Sequence, residues 1–156
     1  MRIGHGFDVH ATGGDGPMRL LGVDLDAPYG LVGTSDADAG AHAVADALLG
    51  AASLGDIGEL FPGDDPASVD ADSMSMLTSV AALLVGQGFK IGNVDVTVVI
   101  EEVRISPYRE HMRARLAAAL GIPIGVVSVK AKTTDRLGII GDGSAVAAMA
   151  VALIEG

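Results

Sequence analysis

Asp8 and His10 stand two residues apart in the run Gly4-His5-Gly6-Phe7-Asp8-Val9-His10. In an extended strand alternate side chains leave the same face, so a carboxylate and an imidazole would project together. A second imidazole, His42, lies in the Ala/Leu-rich stretch from Asp38 to Leu49, whose periodicity is helical. On such a helix Asp38, His42 and Asp46 fall at i, i+4 and i+8 along one face. Two imidazoles and a carboxylate make a catalytic zinc set that leaves one coordination position open. Asp46, one turn beyond His42, is placed to take the second ring N–H of that histidine and fix its tautomer. Taken alone, a D-x-H pair is short enough to arise by chance, with His5 and His10 as surface residues and His42 as a core histidine.

Composition narrows what such a site can serve. The chain has 156 residues, enough for one domain with a real core. Hydrophobic residues make up 49%, yet there are only three Phe, two Tyr and no Trp, so Val, Ile, Leu, Ala and Met must fill that core. Twenty acids against ten bases give a formal net charge of −10, which leaves no basic stripe for nucleic acid. A phosphorylated small molecule binding here needs cations, since the protein's own field repels it. With no Cys there is neither a disulfide framework nor thiolate chemistry, and a cytoplasmic setting fits. The N-terminus lacks the pattern of a signal peptide, and no apolar stretch reaches the ~20 residues of a membrane helix. A soluble protein is expected.

The elements that must position the ligands follow from turn signals and periodicity. Met1 to His10 reads as a strand and Gly13 to Pro17 as a loop; Met18–Leu21 and Val23–Asp26, broken at Gly22, read as a hairpin. Gly30 to Thr34 reads as a second loop. Ser35-Asp36-Ala37-Asp38 has the S-x-x-D form of a capping box, opening a helix to about Ala52. Gly55 to Gly63 reads by itself as a connecting loop. Asp70 to Gln87 reads as a second helix with the stripe Met74, Leu77, Ala81 and Leu84, and Gly86 and Gly88 stop it. Lys90 to Glu101 is a strand apolar at both parities, expected to be covered on both faces. Pro107 suits the first turn of a third helix, ending at Leu120 before Gly121. Val126 to Thr134 is another strand, and Asp135 to Gly143 a turn-rich link. Ser144 to Ile154 fits either an alanine-rich helix or a buried strand. Three helices cover one face of a sheet, and the other face calls for further copies of the chain.

Several of these motifs recur together in one family. They are Gly4 to His10, Ser35-Asp36-Ala37-Asp38, His42 with Asp46 to Ala51, Gly55-Asp56-Ile57-Gly58 with Leu60-Phe61-Pro62, Gly92 to Val96, and Lys130 to Asp135 with Leu137-Gly138. In this order and over essentially the whole chain, they make the sequence resemble the 2-C-methyl-D-erythritol 2,4-cyclodiphosphate synthases of the non-mevalonate isoprenoid pathway. The resemblance implies one domain over residues 1–156, of α/β (α+β two-layer) class. It implies a mixed four-stranded sheet, Ser144–Ile154 included, with helices on one face and a small hairpin. It also implies a homotrimer with sheets packed inward and active sites between subunits.

The same resemblance implies the chemistry. Zinc, or another divalent first-row metal, is held by the residues matching Asp8, His10 and His42, and Mg2+ or Mn2+ on the substrate phosphates by that matching Asp135. The 2-phosphate of 4-diphosphocytidyl-2-C-methyl-D-erythritol 2-phosphate attacks the β-phosphorus and cytidine monophosphate (CMP) leaves. Thr133 and Thr34 are the implied catalytic hydrogen-bond donors. The implied substrate contacts include Asp8, His10, Thr34 and Ser35, then Asp56, Ile57 and Gly58 at the methylerythritol hydroxyls, and Phe61, Pro62, Gly63, Asp64 and Asp65 at the border. Ile100, Glu101, Glu102, Val103, Arg104, Ile105 and Ser106 of a neighbouring copy receive the nucleoside. Lys132, Thr133, Thr134, Asp135, Ile139 and Asp142 complete the set. The chain departs from the pattern at Thr34, where the family has His, at Val103-Arg104 in place of Pro-Lys, and at Asp142 and Ser144 in place of Arg and Glu. Three copies of Asp142 around a three-fold axis would repel a diphosphate there. The alternative is a zinc-containing trimeric paralogue, catalytically altered or inactive, that binds another phosphorylated ligand.

Overall fold

The computed structural model describes residues 1–156 and every side chain except that of Ala67. The chain opens with a long strand, β1 (Arg2–Gly14), then a hairpin of β2 (Met18–Leu20) and β3 (Val23–Leu25), and a short β4 (Gly30–Val32). Helix α1 (Ala39–Ala52), the one-turn α2 (Ile57–Leu60) and α3 (Ser73–Gly86) precede β5 (Lys90–Val99). Then come α4 (Arg109–Leu120), β6 (Val127–Lys132), the one-turn α5 (Gly138–Gly141) and β7 (Ala145–Glu155). The main sheet has the order β4-β1-β7-β5-β6, with β5 and β6 parallel and the other pairs antiparallel.

This mixed sheet has five strands where four were expected. The fifth is β4, which lies inside the segment read as a loop and pairs antiparallel with the end of β1 through Ala11–Val32 and Thr12–Leu31. Three residues with a glycine among them carry too little pattern to show as a strand. The segment expected at 144–154 is strand β7 (Ala145–Glu155), so tertiary pairing on both sides overrides the helix propensity of its alanines. Pro107 lies in a turn two residues ahead of α4 rather than in its first turn. In β5 the helix-side residues Val94, Val96 and Val98 are buried while Asp95 and Thr97 are half-buried, so the strand alternates instead of being apolar on both faces.

The sequence from 35 to 38 does not act as a capping box. Asp38 is itself the N-cap of α1: its carboxylate accepts the Ala41 N–H at 2.9 Å. It also accepts the Leu21 N–H and the Gly22 N–H, each at 2.7 Å, from the turn between β2 and β3. Asp38 is fully buried, and burial pushes its carboxyl up while these three donors oppose the shift. One carboxylate thereby pins the start of α1 to the hairpin.

The contact between α1 and the sheet sets the position of everything near the ligands. Gly4 and Gly6 face the helix, and a Cβ at either would lie 1.8 Å from the Ala47 carbonyl oxygen or 1.9 Å from that of Ala43. Across β7, Ala148, Ala150 and Ala152 continue this floor of small residues, all fully buried. Asp8 and His10 have the same parity as Gly4 and Gly6, so they leave β1 on the helix side just past the end of the close contact. The odd residues of β1 and β7 point the other way. Ile3, Phe7, Val9, Met149 and Val151 are exposed there, forming an apolar outer face.

Adding one methyl at Gly6 tests this. Gly6→Ala must push α1 off β1, and the expected loss is roughly 1–3 kcal/mol or more in denaturant unfolding. An unfolding midpoint unchanged from the parent would show that the helix can shift freely.

Candidate metal centre

Asp8 and His10 come from β1, and His42 from the first turn of α1, one turn past its Asp38 cap. Three ligand atoms converge: Asp8 Oδ2 lies 2.9 Å from His10 Nε2 and 3.0 Å from His42 Nδ1, and the two nitrogens are 3.2 Å apart. Tetrahedral bonds of ~2.0–2.1 Å place neighbouring ligand atoms roughly 3.3–3.4 Å apart, so the triangle needs little adjustment to hold zinc. Among the described residues this is the one group of three acidic or histidine side chains close enough to share an ion.

The outer ring nitrogens show which lone pairs point inward. His10 Nδ1 lies 2.8 Å from the Val32 carbonyl, an acceptor only, so Nδ1 carries the proton and Nε2 faces the centre. Val32 belongs to β4, the strand that the sequence hid. His42 Nε2 faces the hydroxyls of Ser73 at 2.9 Å and Ser35 at 3.3 Å. Asp46 does not reach His42 as expected: its carboxylate accepts the Ile57 N–H at 2.8 Å and fixes the start of α2. Burial pushes the Asp46 carboxyl up, with that N–H opposing. Ser73 took the place expected of Asp46, and its distance of 31 residues from His42 hid it from pattern reading.

Two inward lone pairs and a carboxylate oxygen cannot share this space without a cation or a proton. Burial alone would raise the Asp8 carboxyl, but its contacts with the His10 and His42 rings outweigh it and hold it well below the usual range. The Asp8 carboxylate raises His10, opposed by burial and helped by the Val32 carbonyl. The centre is a strong trap for positive charge.

Around it the expected contacts divide into two sets. A cavity of about 150 Å³ beside the ligands is lined by His10, His42, Thr34, Ser35, Ile57, Phe61 and Gly63, with Ser68 and Met76. Asp56 caps α2 by accepting the Glu59 N–H at 3.0 Å, and Gly58 follows it within that helix. Pro62, Asp64 and Asp65 are exposed in the loop after α2. The second set lies elsewhere: a cavity of about 230 Å³ is lined by Ile100, Glu101, Val103, Arg104, Ile105, Ser106, Lys132 and Thr133. Glu101 accepts the Thr134 N–H at 3.1 Å, and Glu102 accepts the Tyr29 hydroxyl. Asp135, at φ 52°, sits 3.4 Å from Thr133 Oγ1 and belongs to no metal-sized cluster among the described residues. Ile139 in α5 and Asp142 after it are exposed. Strands β7 and β5 separate β1 from β6, so one chain keeps Thr133 and Asp135 roughly 14 Å across the sheet from the ligand strand.

Comparison with known proteins places the chain in a family. The model of the YgbB family matches residues 1–155. The chain belongs to the YgbB family. It is 48% identical over 154 residues to the 2-C-methyl-D-erythritol 2,4-cyclodiphosphate synthase of Edwardsiella ictaluri, covering 99% of this chain and 98% of that one. Among solved structures, the bifunctional IspDF from Campylobacter jejuni superposes with a TM-score of 0.95 at 36% identity. That match covers 98% of this chain and 42% of the longer one. A 2C-methyl-D-erythritol-2,4-cyclodiphosphate synthase in a CDP-bound form gives a TM-score of 0.90 at 32% identity, covering 99% of this chain and all of that one. No helix among the described residues is long and apolar enough to cross a membrane.

The charge balance of the centre has a pH signature. A raised His10 stabilises the metal-free fold fully below its unfolded value of 6.5 and loses that contribution as pH rises through the folded value. A lowered Asp8 contributes above its ordinary 3.8 and loses this only as pH falls through its depressed value. Metal binding runs the other way for His10, which must give up its proton. The rise in Tm on adding zinc is therefore expected to be largest above neutral pH and to vanish towards about pH 5. A zinc-induced shift constant across that range in calorimetry would remove these residues as its ligands.

Proposed function

We propose that this chain converts 4-diphosphocytidyl-2-C-methyl-D-erythritol 2-phosphate to 2-C-methyl-D-erythritol 2,4-cyclodiphosphate with release of CMP, a phosphorus–oxygen lyase reaction. The observation that carries it is the convergence of Asp8, His10 and His42 beside the cavity of Thr34, Ile57 and Phe61. It occurs in a chain 48% identical, over nearly all its length, to a synthase of that name. That similarity favours turnover over the alternative of a binding paralogue.

A 2-phosphate oxygen forms a bond to the β-phosphorus, and the bond from that phosphorus to the bridging oxygen of CMP breaks. No activated side-chain nucleophile is needed, so positioning and charge neutralisation dominate. A divalent ion on Asp8, His10 and His42, zinc by its donor set, supplies Lewis-acid polarisation and a template for the phosphate. Ile57 and Phe61 form an apolar wall of the cavity beside the ligands. Thr34 offers a hydroxyl to an anionic oxygen, with less charge than an imidazolium would bring. Thr133 offers the same at its own end of the site, and Asp135 is the residue that would hold Mg2+ or Mn2+ on the nucleotide phosphates.

Two half-sites on one chain support a site completed by a second copy. One copy brings Asp8, His10, His42 and α2, and its neighbour brings Ile100–Ser106 with Lys132–Asp135 to the cytidine diphosphate end. Relatives have been seen with CDP bound. The exposed apolar face of β1 and β7 supports a homotrimer closed around it. We read each subunit as one domain over residues 1–156, and its setting, in a chain without Cys, as the cytoplasm.

Zinc-loaded protein with magnesium and the diphosphocytidyl substrate is expected to yield CMP and cyclic diphosphate by phosphorus NMR. His42→Ala should lower the rate roughly a hundredfold or more. Absence of both products from intact, zinc-loaded protein would favour the binding paralogue. Equal co-refolding of His42→Ala and Asp135→Ala chains, each inactive alone, should restore about a quarter of the sites if each draws on two copies. No restoration would place both halves of each site on one chain.

A further inference from the structure

Ser73, the first residue of α3, and Asp36, in the loop before α1, meet on the far side of His42. Ser73 is almost fully buried, and its Oγ touches both His42 Nε2, at 2.9 Å, and Asp36 Oδ1 in a short contact. A serine hydroxyl has one proton to give, and an ionised carboxylate can only accept. Asp36 therefore takes the Ser73 proton, leaving a Ser73 lone pair towards His42. That lone pair calls for a proton on Nε2 and turns the unprotonated Nδ1 towards Asp8 and His10. Ser35 also lies near Nε2, at the longer distance of 3.3 Å, and its Oγ accepts the Ala37 N–H at 3.4 Å.

Asp36 is held in turn. Its other oxygen accepts the Ser73 N–H at 3.2 Å and lies 3.8 Å from Nη1 of Arg19, whose Nε and Nη2 donate to Asp24. Its own backbone N–H donates to the Ala71 carbonyl just ahead of α3.

We propose that Ser73 and Asp36 act as a positioning relay that sets the tautomer of His42 and thereby the affinity of the centre for its metal. The inference rests on the metal reading of Asp8, His10 and His42. It assigns function to two residues that touch neither the metal ligands' inner atoms nor the adjoining cavity's reacting end.

Substitution at Asp36 gives a distinctive outcome. In Asp36→Asn the amide oxygen is drawn to the side that holds the Ser73 N–H, at 3.2 Å, and the Arg19 cation, over the Asp38 N–H that lies 3.4 Å from the other oxygen. The NH2 then faces Ser73 Oγ and donates to it. Ser73 must turn its own proton to His42 Nε2, which favours the Nδ1–H tautomer and blocks the inward lone pair.

Imidazole nitrogen chemical shifts of metal-free, nitrogen-labelled protein read the tautomer directly. The parent is expected to show His42 protonated on Nε2, and Asp36→Asn to shift it towards Nδ1–H. Competition against a chromogenic chelator should show zinc bound ~10–100-fold more weakly by Asp36→Asn and by Ser73→Ala, with Ser73→Thr returning to within about threefold of the parent. Cooperative unfolding of each variant checks that the fold is kept. A parent protonated on Nδ1 overturns the proposal. So does an unchanged tautomer in Asp36→Asn, or zinc affinity within about twofold of the parent in both weakening variants. If the parent binds no zinc, the metal reading falls, and the tautomer measurements still decide the relay.

Discussion

Everything at the centre depends on how closely α1 can lie against β1. Two strand residues advance about 6.6 Å and four helix residues about 6.0 Å, so a strand step of two nearly matches a helical step of four. Gly4 lies under Ala47 and Ala51, and Gly6 under Ala43 and Ala47. Continuing the same steps brings Asp8 and His10 to the first turn of α1, where His42 projects. A side chain at either glycine would separate the two elements by more than the 2.9–3.2 Å triangle could tolerate. The glycines and the ligands are thus one pattern, alternating along a single strand: two residues that remove bulk, then two that bring chemistry.

The helix must also be fixed along its axis, because sliding by one residue would swing His42 through about 100°. Asp38 supplies that restraint by accepting N–H groups from both α1 and the hairpin turn. A buried carboxylate is costly unless fully hydrogen-bonded, and three backbone donors meet that condition. Rotation of the imidazole rings is limited separately, by the Val32 carbonyl on one side and the Ser73 hydroxyl on the other. Four separate segments, β1, β4, α1 and α3, therefore converge on two histidines and aim their inner nitrogens at Asp8.

The centre is legible in the chain alone, but its supports are not. Asp8, His10 and His42 were legible because strand and helix periodicity place them, and the helix itself stood out by its alanines. Its cap was misassigned because Ser35-x-x-Asp38 satisfies a local rule, while Asp38 answers to donors 16 and 17 residues away. Asp46 was assigned to His42 by helical spacing, yet the Ile57 N–H lies within its reach and claims it. Ser73 and Val32 were invisible for one reason: their roles are set by tertiary contacts 31 and 22 residues distant in sequence. Strand β7 was ambiguous because alanine serves two purposes. It favours helix by propensity, and it also lets another element come close, which is its use at Ala148, Ala150 and Ala152.

The sheet order is what favours a second copy as the source of the other half-site in the proposed function. Thr133 and Asp135 follow β6, at the opposite edge from β4, while the ligands lie on β1, and two paired strands hold these apart. No loop motion can bring them together without unpairing the sheet, since β6 is hydrogen-bonded along its length to β5. The nucleoside-side cavity is tied to the same edge, through Ile100 N–H to Lys132 and Glu101 to Thr134 N–H. A diphosphate-linked substrate engaging both cavities of one chain would have to stretch across the intervening β7 and β5. In the proposed assembly, closure around the exposed apolar face would offer the shorter route, by bringing the β6 edge of one copy towards the β4–β1 edge of the next. On this reading the acidic chain gains at that seam what each copy lacks alone: two anionic phosphates drawn together by cations held on residues from two sides.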